Sequence, residues 1–275
     1  GCLKNEQNPL EGDVLILDEC SMIDIMLMYS LLKAVPDSMT LIFVGDVDQL
    51  PSVGAGNVLG DVLESGVIPK CMLTDIFRQG ETSRIVVNAH RINHGEMPLL
   101  NEKGTDFFFE RKQGFYDAAS TIVSLVTQRL PKFLKYDPSE YAEQAVRNIQ
   151  VLAPAKKGEC GVGALNNMLQ AALNPPAPHK PSLHYGETVF RLGDKVMQTK
   201  NDYQLEWRRH TSSGWENGQG VFNGDVGFIV DVDPEEHCLT VRFDEEKEAV
   251  YASAQFENLD LAYCLSVHKS QGSEF

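Results

Sequence analysis

Residues 13 to 24 read Asp-Val-Leu-Ile-Leu-Asp-Glu-Cys-Ser-Met-Ile-Asp, an apolar run that ends in two adjacent carboxylates, Asp18 and Glu19. Phosphoryl transfer suits such a pair, because it needs charge neutralised by a metal ion and a water aligned behind the terminal phosphate. In that chemistry Asp18 holds magnesium through water, and Glu19 orients or deprotonates the attacking water. Taken alone, the pair fits a helix-capping or solvated feature equally well. A second apolar run, Thr40-Leu-Ile-Phe-Val, ends in Gly45-Asp46-Val47-Asp48-Gln49-Leu50-Pro51. There Gln49 offers a neutral amide able to hydrogen-bond both the γ-phosphate and the water, with a structural turn as the alternative. Farther on, Leu73-Thr-Asp-Ile-Phe-Arg78-Gln79 supplies an arginine whose planar fork matches phosphate oxygens, although a surface salt bridge would use it as well.

The elements that must position these groups are legible in the hydrophobic pattern. Val14 to Leu17 and Leu41 to Val44 are continuous apolar runs, the pattern of parallel strands covered by helices on both faces. Between them, Asp24 can cap a helix that carries Met26, Met28, Tyr29, Leu31 and Leu32 and stops before Pro36. Strand, helix, strand makes a right-handed crossover, which brings both polar ends to the same edge of one sheet. Asn57 to Glu64 reads as another helix, Cys71 to Thr74 as a short strand, and Thr82 to Asn93 as a helix closed by Gly95.

A second block begins with the aromatic strand Phe107-Phe-Phe-Glu and an amphipathic helix from Tyr116 to Leu130. After a polar loop around Tyr136-Asp-Pro-Ser come the strand Ile149-Gln-Val-Leu-Ala and a helix from Gly163 to Leu173. The proline-rich stretch Asn174-Pro-Pro-Ala-Pro-His-Lys-Pro forbids regular structure and marks a boundary. From Val189 to about Glu257 the chain shows short alternating strands, Asp194-Lys-Val-Met-Gln, Val226-Gly-Phe-Ile-Val, Cys238-Leu-Thr-Val-Arg-Phe and Glu248-Ala-Val-Tyr, as in a small all-β barrel. Leu261 to Phe275 then returns as a strand leading into a polar loop, so the barrel reads as an insertion in the second block. Within it, Trp207-Arg208-Arg209-His210 and Trp215 suit backbone contact and base stacking on single-stranded DNA, or else form a solvated hairpin loop.

A chain of 275 residues favours two compact units. A net charge of −15 excludes coating of nucleic acid by bulk attraction and leaves a local basic groove open. The cysteines Cys2, Cys20, Cys71, Cys160, Cys238 and Cys264 stand singly, without metal-ligand spacing, and read as reduced structural thiols. No stretch is apolar over a bilayer's thickness, and the opening residues lack a signal peptide's apolar segment, so the expectation is a cytoplasmic protein with no membrane partner.

Taken in order, Asp-Glu-Cys-Ser-Met-Ile-Asp, Gly-Asp-Val-Asp-Gln-Leu-Pro-Ser-Val, Phe-Arg-Gln and Val-His-Lys-Ser-Gln-Gly-Ser-Glu-Phe resemble the RecD/TraA branch of superfamily-one DNA helicases. Phe190-Arg-Leu-Gly-Asp-Lys-Val-Met-Gln and Val221-Phe-Asn-Gly-Asp-Val-Gly are similar to that branch's inserted barrel. The resemblance implies an α/β fold of two incomplete RecA-like parallel-sheet motor domains with a small SH3-like β-barrel inserted in the second. Residues 1–100 would be the latter part of the first motor domain and 101–185 the first part of the second. Residues 186–258 would be the barrel, and 259–275 the return to the second motor domain.

It further implies an ATP- and magnesium-dependent enzyme that translocates 5′ to 3′ on single-stranded DNA and unwinds duplex in repair or recombination. Asp18 and Glu19 become the Walker B carboxylates, with Asp18 holding magnesium through water. Gln49 becomes the γ-phosphate sensor and Arg78 an arginine finger. Gly45, Asp46, Gln271, Gly272 and Glu274 would face the nucleotide, while Ser266, His268, Lys269 and Ser270 would bind DNA. Recombination-nuclease subunits are the implied protein partners. Cys20 stands where the family commonly has alanine or serine, and reads as a buried neighbour of the catalytic pair.

No Gly-x-x-x-x-Gly-Lys-Ser/Thr phosphate loop occurs, and the family's last arginine motif is missing after Phe275. The expectation is therefore a piece of a longer helicase, inactive by itself. A non-catalytic DNA-binding or scaffolding module with a degenerate helicase core, and the helicase half of a conjugative relaxase, are the alternatives.

Overall fold

Apolar residues with β-branched members form the two strands that carry the first motifs, β1 (Val14–Leu17) and β2 (Thr40–Phe43), paired in parallel with Leu17 opposite Phe43. The computed structural model describes residues 4–73 and 83–273, which divide into two compact units, Gly1–Arg111 and Lys112–Phe275.

In the first unit, the crossover between β1 and β2 is α1 (Ile25–Ala34). Asp24 caps it by accepting from Leu27 N at 2.7 Å, and Val35 turns extended where Pro36 disfavours helix. Asn57 caps α2 (Val58–Ser65), which closes on Gly66 with φ of 66°. Ser83 caps α3 (Arg84–Asn93), and Asp106 reinforces that start by accepting from Ser83 Oγ at 2.6 Å and Arg84 N at 2.7 Å. The Ser83 hydroxyl and these backbone donors hold the Asp106 carboxyl below its ordinary range.

Three expectations need correction here. β1 and β2 are covered on one face only, since Val14 is 54% and Ile16 62% exposed, and nothing among the described residues packs on the other face. Cys71 to Leu73 form no strand: Leu73 is 95% exposed, so no neighbouring strand completes a ladder, and Thr74 lies outside the described residues. Phe107 to Glu110 are likewise unassigned to any strand, with Phe108 and Phe109 exposed.

The second unit opens with α4 (Phe115–Ser124), a π-turn at Leu125–Arg129 and α5 (Leu130–Phe133). The sequence predicts one continuous helix there. Pro131 has no N–H to bond the carbonyl of Thr127, and Thr127 Oγ1 bonds back to Val123 O at 2.8 Å, which together account for the wider turn. Next come α6 (Tyr141–Asn148), β3 (Val151–Ala153) and α7 (Val162–Leu173), followed by the hairpin β4 (Ser182–Tyr185) and β5 (Thr188–Arg191).

Then follow β6 (Lys195–Gln198), β7 (Asp202–Thr211), β8 (Gly214–Val221), β9 (Val226–Asp233), β10 (Cys238–Phe243), β11 (Glu248–Ala252) and β12 (Leu259–Leu261). They form one antiparallel sheet in the order β12-β6-β9-β10-β11-β7-β8. The last strand, β13 (Cys264–Ser266), pairs in parallel with β3, Cys264 opposite Val151. The chain thus leaves a parallel pair, builds an antiparallel sheet and comes back to the pair.

That sheet is not the closed barrel the sequence suggests. β12 and β8 are its two edges, and β7 joins β11 only at Trp207 and Arg208, so most of the β7–β8 ribbon runs on past the sheet. One core nonetheless serves the whole unit, from Ala119 of α4 through Leu165 and Leu169 of α7 to Val241 and Tyr251 of the sheet. Among the described residues, no helix is long and apolar enough to cross a membrane.

Lys195 lies on β6, only 6% exposed, with no ion pair to offset its burial among the described residues. Desolvation pushes its ammonium down from 10.5 to about 8. A base with a depressed folded pKa carries its full cost while both states are protonated. The cost fades as pH rises from about 8 to 10.5, because the unfolded chain then holds the extra proton. Lys195→Met is expected to stabilise the second unit at pH 7 by up to roughly 3 kcal/mol. Denaturant titrations across that range should show its advantage shrinking as pH rises; an advantage constant with pH would mean packing, not charge, is responsible.

Candidate functional site

The parallel register runs to the very edge of β1 and β2. Beyond the strands, Val44 N donates to Leu17 O at 2.8 Å and Cys20 N donates to Val44 O at 3.0 Å, so the chain is zipped on both sides of Asp18 and Glu19. Glu19 makes the turn in the left-handed region, with φ of 52° and ψ of 41°, while its N–H donates to Asp18 Oδ1 at 2.8 Å. A non-glycine residue there stores strain of order 1 kcal/mol, and such outliers gather at functional positions. Cys20 follows as the buried anchor; its thiol bonds Leu17 O at 3.1 Å and burial raises its pKa.

The opposing loop packs onto this turn. Gly45 approaches so closely that a Cβ there would lie 2.9 Å from Leu59 Cδ2, 3.1 Å from Cys20 N and 3.2 Å from Cys20 Cβ. Gly54 sits in the same way against Asp24, and Ala55 O accepts from Ile25 N at 3.0 Å, so the loop folds back over the start of α1. Asp46 builds the turn that carries Gln49: its Oδ1 accepts from Asp48 N at 2.9 Å and its carbonyl from Gln49 N at 3.3 Å. Asp18, Glu19, Gly45, Asp46 and Gln49 therefore share one edge of one sheet, with Asp18 and Gln49 exposed. Arg78 and Glu274 lie outside the described residues.

Magnesium fits this edge. One oxygen of Asp18 is taken by Glu19 N, leaving the other to meet a metal-bound water. Among the described residues no three His, Cys, Asp or Glu side chains form a metal cage, and an ion that keeps most of its waters requires none. Sequence reasoning missed Ser21, whose Oγ is buried beside the acidic pair without a partner in the structure. A small polar residue within an acidic strand-end motif carries no pattern that separates this from a surface serine.

In the second unit, β13 delivers Ser266 at its end, buried, with Oγ accepting from Lys269 N at 3.3 Å. The 3-10 turn Val267–Ser270 follows, closed by Ser270 Oγ donating to Val267 O at 2.8 Å. His268 is exposed, Gln271 half-buried, and Gly272 takes φ of 74° as the chain turns away. The Lys269 ammonium contacts Asn223 Oδ1 in the β8–β9 turn. Burial and the neighbouring Lys156 charge push its pKa down. Asn166 fixes the approach of β13, donating to Leu261 O at 2.9 Å and Cys264 O at 3.0 Å and accepting from Cys264 N at 2.8 Å. It was overlooked in the sequence, although an asparagine on the buried side of an otherwise apolar helix is a visible signal.

Two family models match the chain: an AAA domain over residues 4–111, and the SH3 domain of ATP-dependent RecD-like DNA helicases over residues 165–243. The whole chain is 34% identical to a 33% share of the ATP-dependent RecD2 DNA helicase of Deinococcus radiodurans. Over 98% of its length it is 24% identical to the RecBCD enzyme subunit RecD of Buchnera aphidicola, covering 49% of that protein. It is also 27% identical to the Mycobacterium tuberculosis RecBCD enzyme subunit RecD, 98% of the chain matching 44% of the relative. The chain thus spans between a third and a half of the length of these curated relatives.

Because Gly45 touches the turn that holds the acidic pair, Gly45→Ala is expected to overpack that contact and destabilise the first unit by about 1–3 kcal/mol. Thermal or denaturant unfolding measures it directly. A neutral result would mean that Leu59 and Cys20 have room to give.

Proposed function

We propose that this chain, a segment of the RecD-type helicases, serves an ATP-dependent DNA helicase that moves 5′ to 3′ along a single strand and separates duplex in cytoplasmic DNA repair or recombination. The observation that carries the reading is the shared edge of β1 and β2, where the acidic pair and the glutamine turn are held in register by main-chain hydrogen bonds. The matches to AAA and RecD-like SH3 models, and to proteins named RecD2 helicase and RecBCD subunit, support it. Two RecA-like motor domains, the first within the AAA match and the second interrupted by the antiparallel sheet, are the architecture that goes with this reading. DNA, single-stranded and duplex, is the proposed partner, together with recombination-nuclease subunits of the kind the RecBCD relatives' name implies.

In this reading Asp18 holds magnesium through water, and the ion, when bound with ATP, neutralises charge on the phosphates. Glu19 accepts the proton of the attacking water or orients it. Its left-handed backbone aims the residue independently of Asp18, so the two carboxylates take separate tasks instead of one. Gln49, carried by the Asp46 turn, hydrogen-bonds the water and the γ-phosphate, and responds to loss of that phosphate. Gly45 brings the turn close to the acidic pair, Asp46 supports it, and Arg78 stabilises charge in the transition state. Gln271, Gly272 and Glu274 meet the nucleotide, and Ser266, His268, Lys269 and Ser270 hold the strand.

In the intact protein, Glu19→Gln is expected to bind ATP within a few-fold of wild type while hydrolysis, stimulated by single-stranded DNA, falls by about 100-fold or more. Equilibrium binding of a fluorescent ATP analogue and steady-state phosphate release separate the two. Loss of binding with the carboxamide would assign Glu19 a different task.

A further inference from the structure

A cavity of about 350 Å³ opens at the end of the parallel pair β3 and β13, beside the turn that holds Lys269. Its lining includes Ser266 and Lys269 after β13, Lys156 in the β3–α7 loop, Asn167 of α7, and Asp260 and Glu187. Lys156 and Lys269 thus face one space from two separate segments.

The electrostatics of that space select an anion. At the Lys269 ammonium, repulsion from Lys156 outweighs attraction to Asp260, and both add to a desolvation that already disfavours the charge. Among the described residues neither lysine has a carboxylate within ion-pair distance; Lys269 has only the amide oxygen of Asn223. Two like charges held together at a half-buried cavity cost stability unless a negative group joins them. Ser266 supplies a further donor: it is only 8% exposed, its oxygen accepts from Lys269 N, and its own proton has no acceptor among the described residues. Two ammonium groups and one hydroxyl offer hydrogen bonds to a group with several anionic oxygens, as phosphate has.

We propose that this cavity seats one backbone phosphate of a single nucleic-acid strand, with Lys156 as a holding residue equal in standing to Lys269. The inference rests on the strand-binding reading of residues 266–270 and adds to it a residue from a different loop. Lys269 exchanges Asn223 for the phosphate when the strand arrives, so the β8–β9 turn is released as the seat fills.

The test is anisotropy of a fluorescent oligothymidylate with the intact protein over a series of salt concentrations. Lys156→Ala and Lys269→Ala are each expected to weaken binding roughly tenfold. Each should also lower the slope of log affinity against log salt by about 0.7, the share of one single-strand phosphate. Lys156→Arg restores most of both. The double variant is expected to lose less than the sum of the singles, because both lysines hold one group. Unchanged affinity and slope in Lys156→Ala, with Lys269→Ala still impaired, would overturn this proposal and leave the strand-binding reading in place. Strictly additive losses would overturn the shared phosphate, and so would a Lys156→Ala loss confined to ATP-analogue affinity. A wild-type protein that fails to bind the oligonucleotide would overturn the reading itself.

Discussion

The buried carboxylate of Asp194 ties the second unit together. It is fully buried and accepts four hydrogen bonds: Asn174 Nδ2 at 2.7 Å, Tyr263 Oη at 2.8 Å, Gln170 Nε2 at 2.6 Å and Arg191 N at 2.7 Å. Burial pushes its pKa up, and these donors pull the other way. Removing one donor leaves a buried charge short of a partner, which is far costlier than never having built the site. The donors come from α7, from the end of β5 and from the residue just before β13. The antiparallel sheet and the parallel pair are therefore fixed to each other by one side chain, and the strand that delivers Ser266 and Lys269 inherits its position from that network.

A comparable constraint acts in the first unit through backbone and not charge. Glu19 takes a left-handed conformation, and Gly45 and Gly54 allow a loop to lie against Cys20 and Asp24 where any Cβ would collide. Chemistry and architecture meet there: the residue proposed to handle the attacking water is also the one that turns the chain. The exposed face of β1 and β2 bears no part in this, because the polar groups sit at the strand ends and not on the sheet's faces.

The sequence announced much of this. Continuous apolar runs and good caps located β1, β2, α1 and α2 almost to the residue, since Asp24, Asn57 and Pro36 act locally. Elements whose existence depends on a distant partner were harder. Phe107 to Glu110 has strand-forming residues and no ladder, and the β7–β8 ribbon is long because its two strands pair with each other, although its Gly and Ser content suggested a loop. The Asp194 network was half visible: Asn166, Gln170 and Asn174 recur at helical spacing on the buried side of α7, yet only the fold reveals which groups they satisfy. At the candidate sites, motif order identified the residues, whereas Lys156 emerged only when two segments far apart in sequence were found lining one cavity.

Charge placement decides where a strand could be held on so acidic a chain. The Trp207 to His210 segment looks basic in sequence, but its guanidinium groups are engaged within the ribbon. Arg209 pairs with Glu216 at 2.9 Å, and Arg208 lies 4.0 Å from Glu248 while stacking over Trp215 at 5.1 Å. Positive charge already spent on local carboxylates releases few counterions when a strand arrives, so its contribution to backbone affinity is small. Lys156 and Lys269 are placed the other way, close together and with no carboxylate partner among the described residues. With a net charge of −15 the chain repels a strand over most of its surface, and binding must come from a few such unneutralised pairs. This is why the position of one lysine in the β3–α7 loop matters more than the number of basic residues in the ribbon.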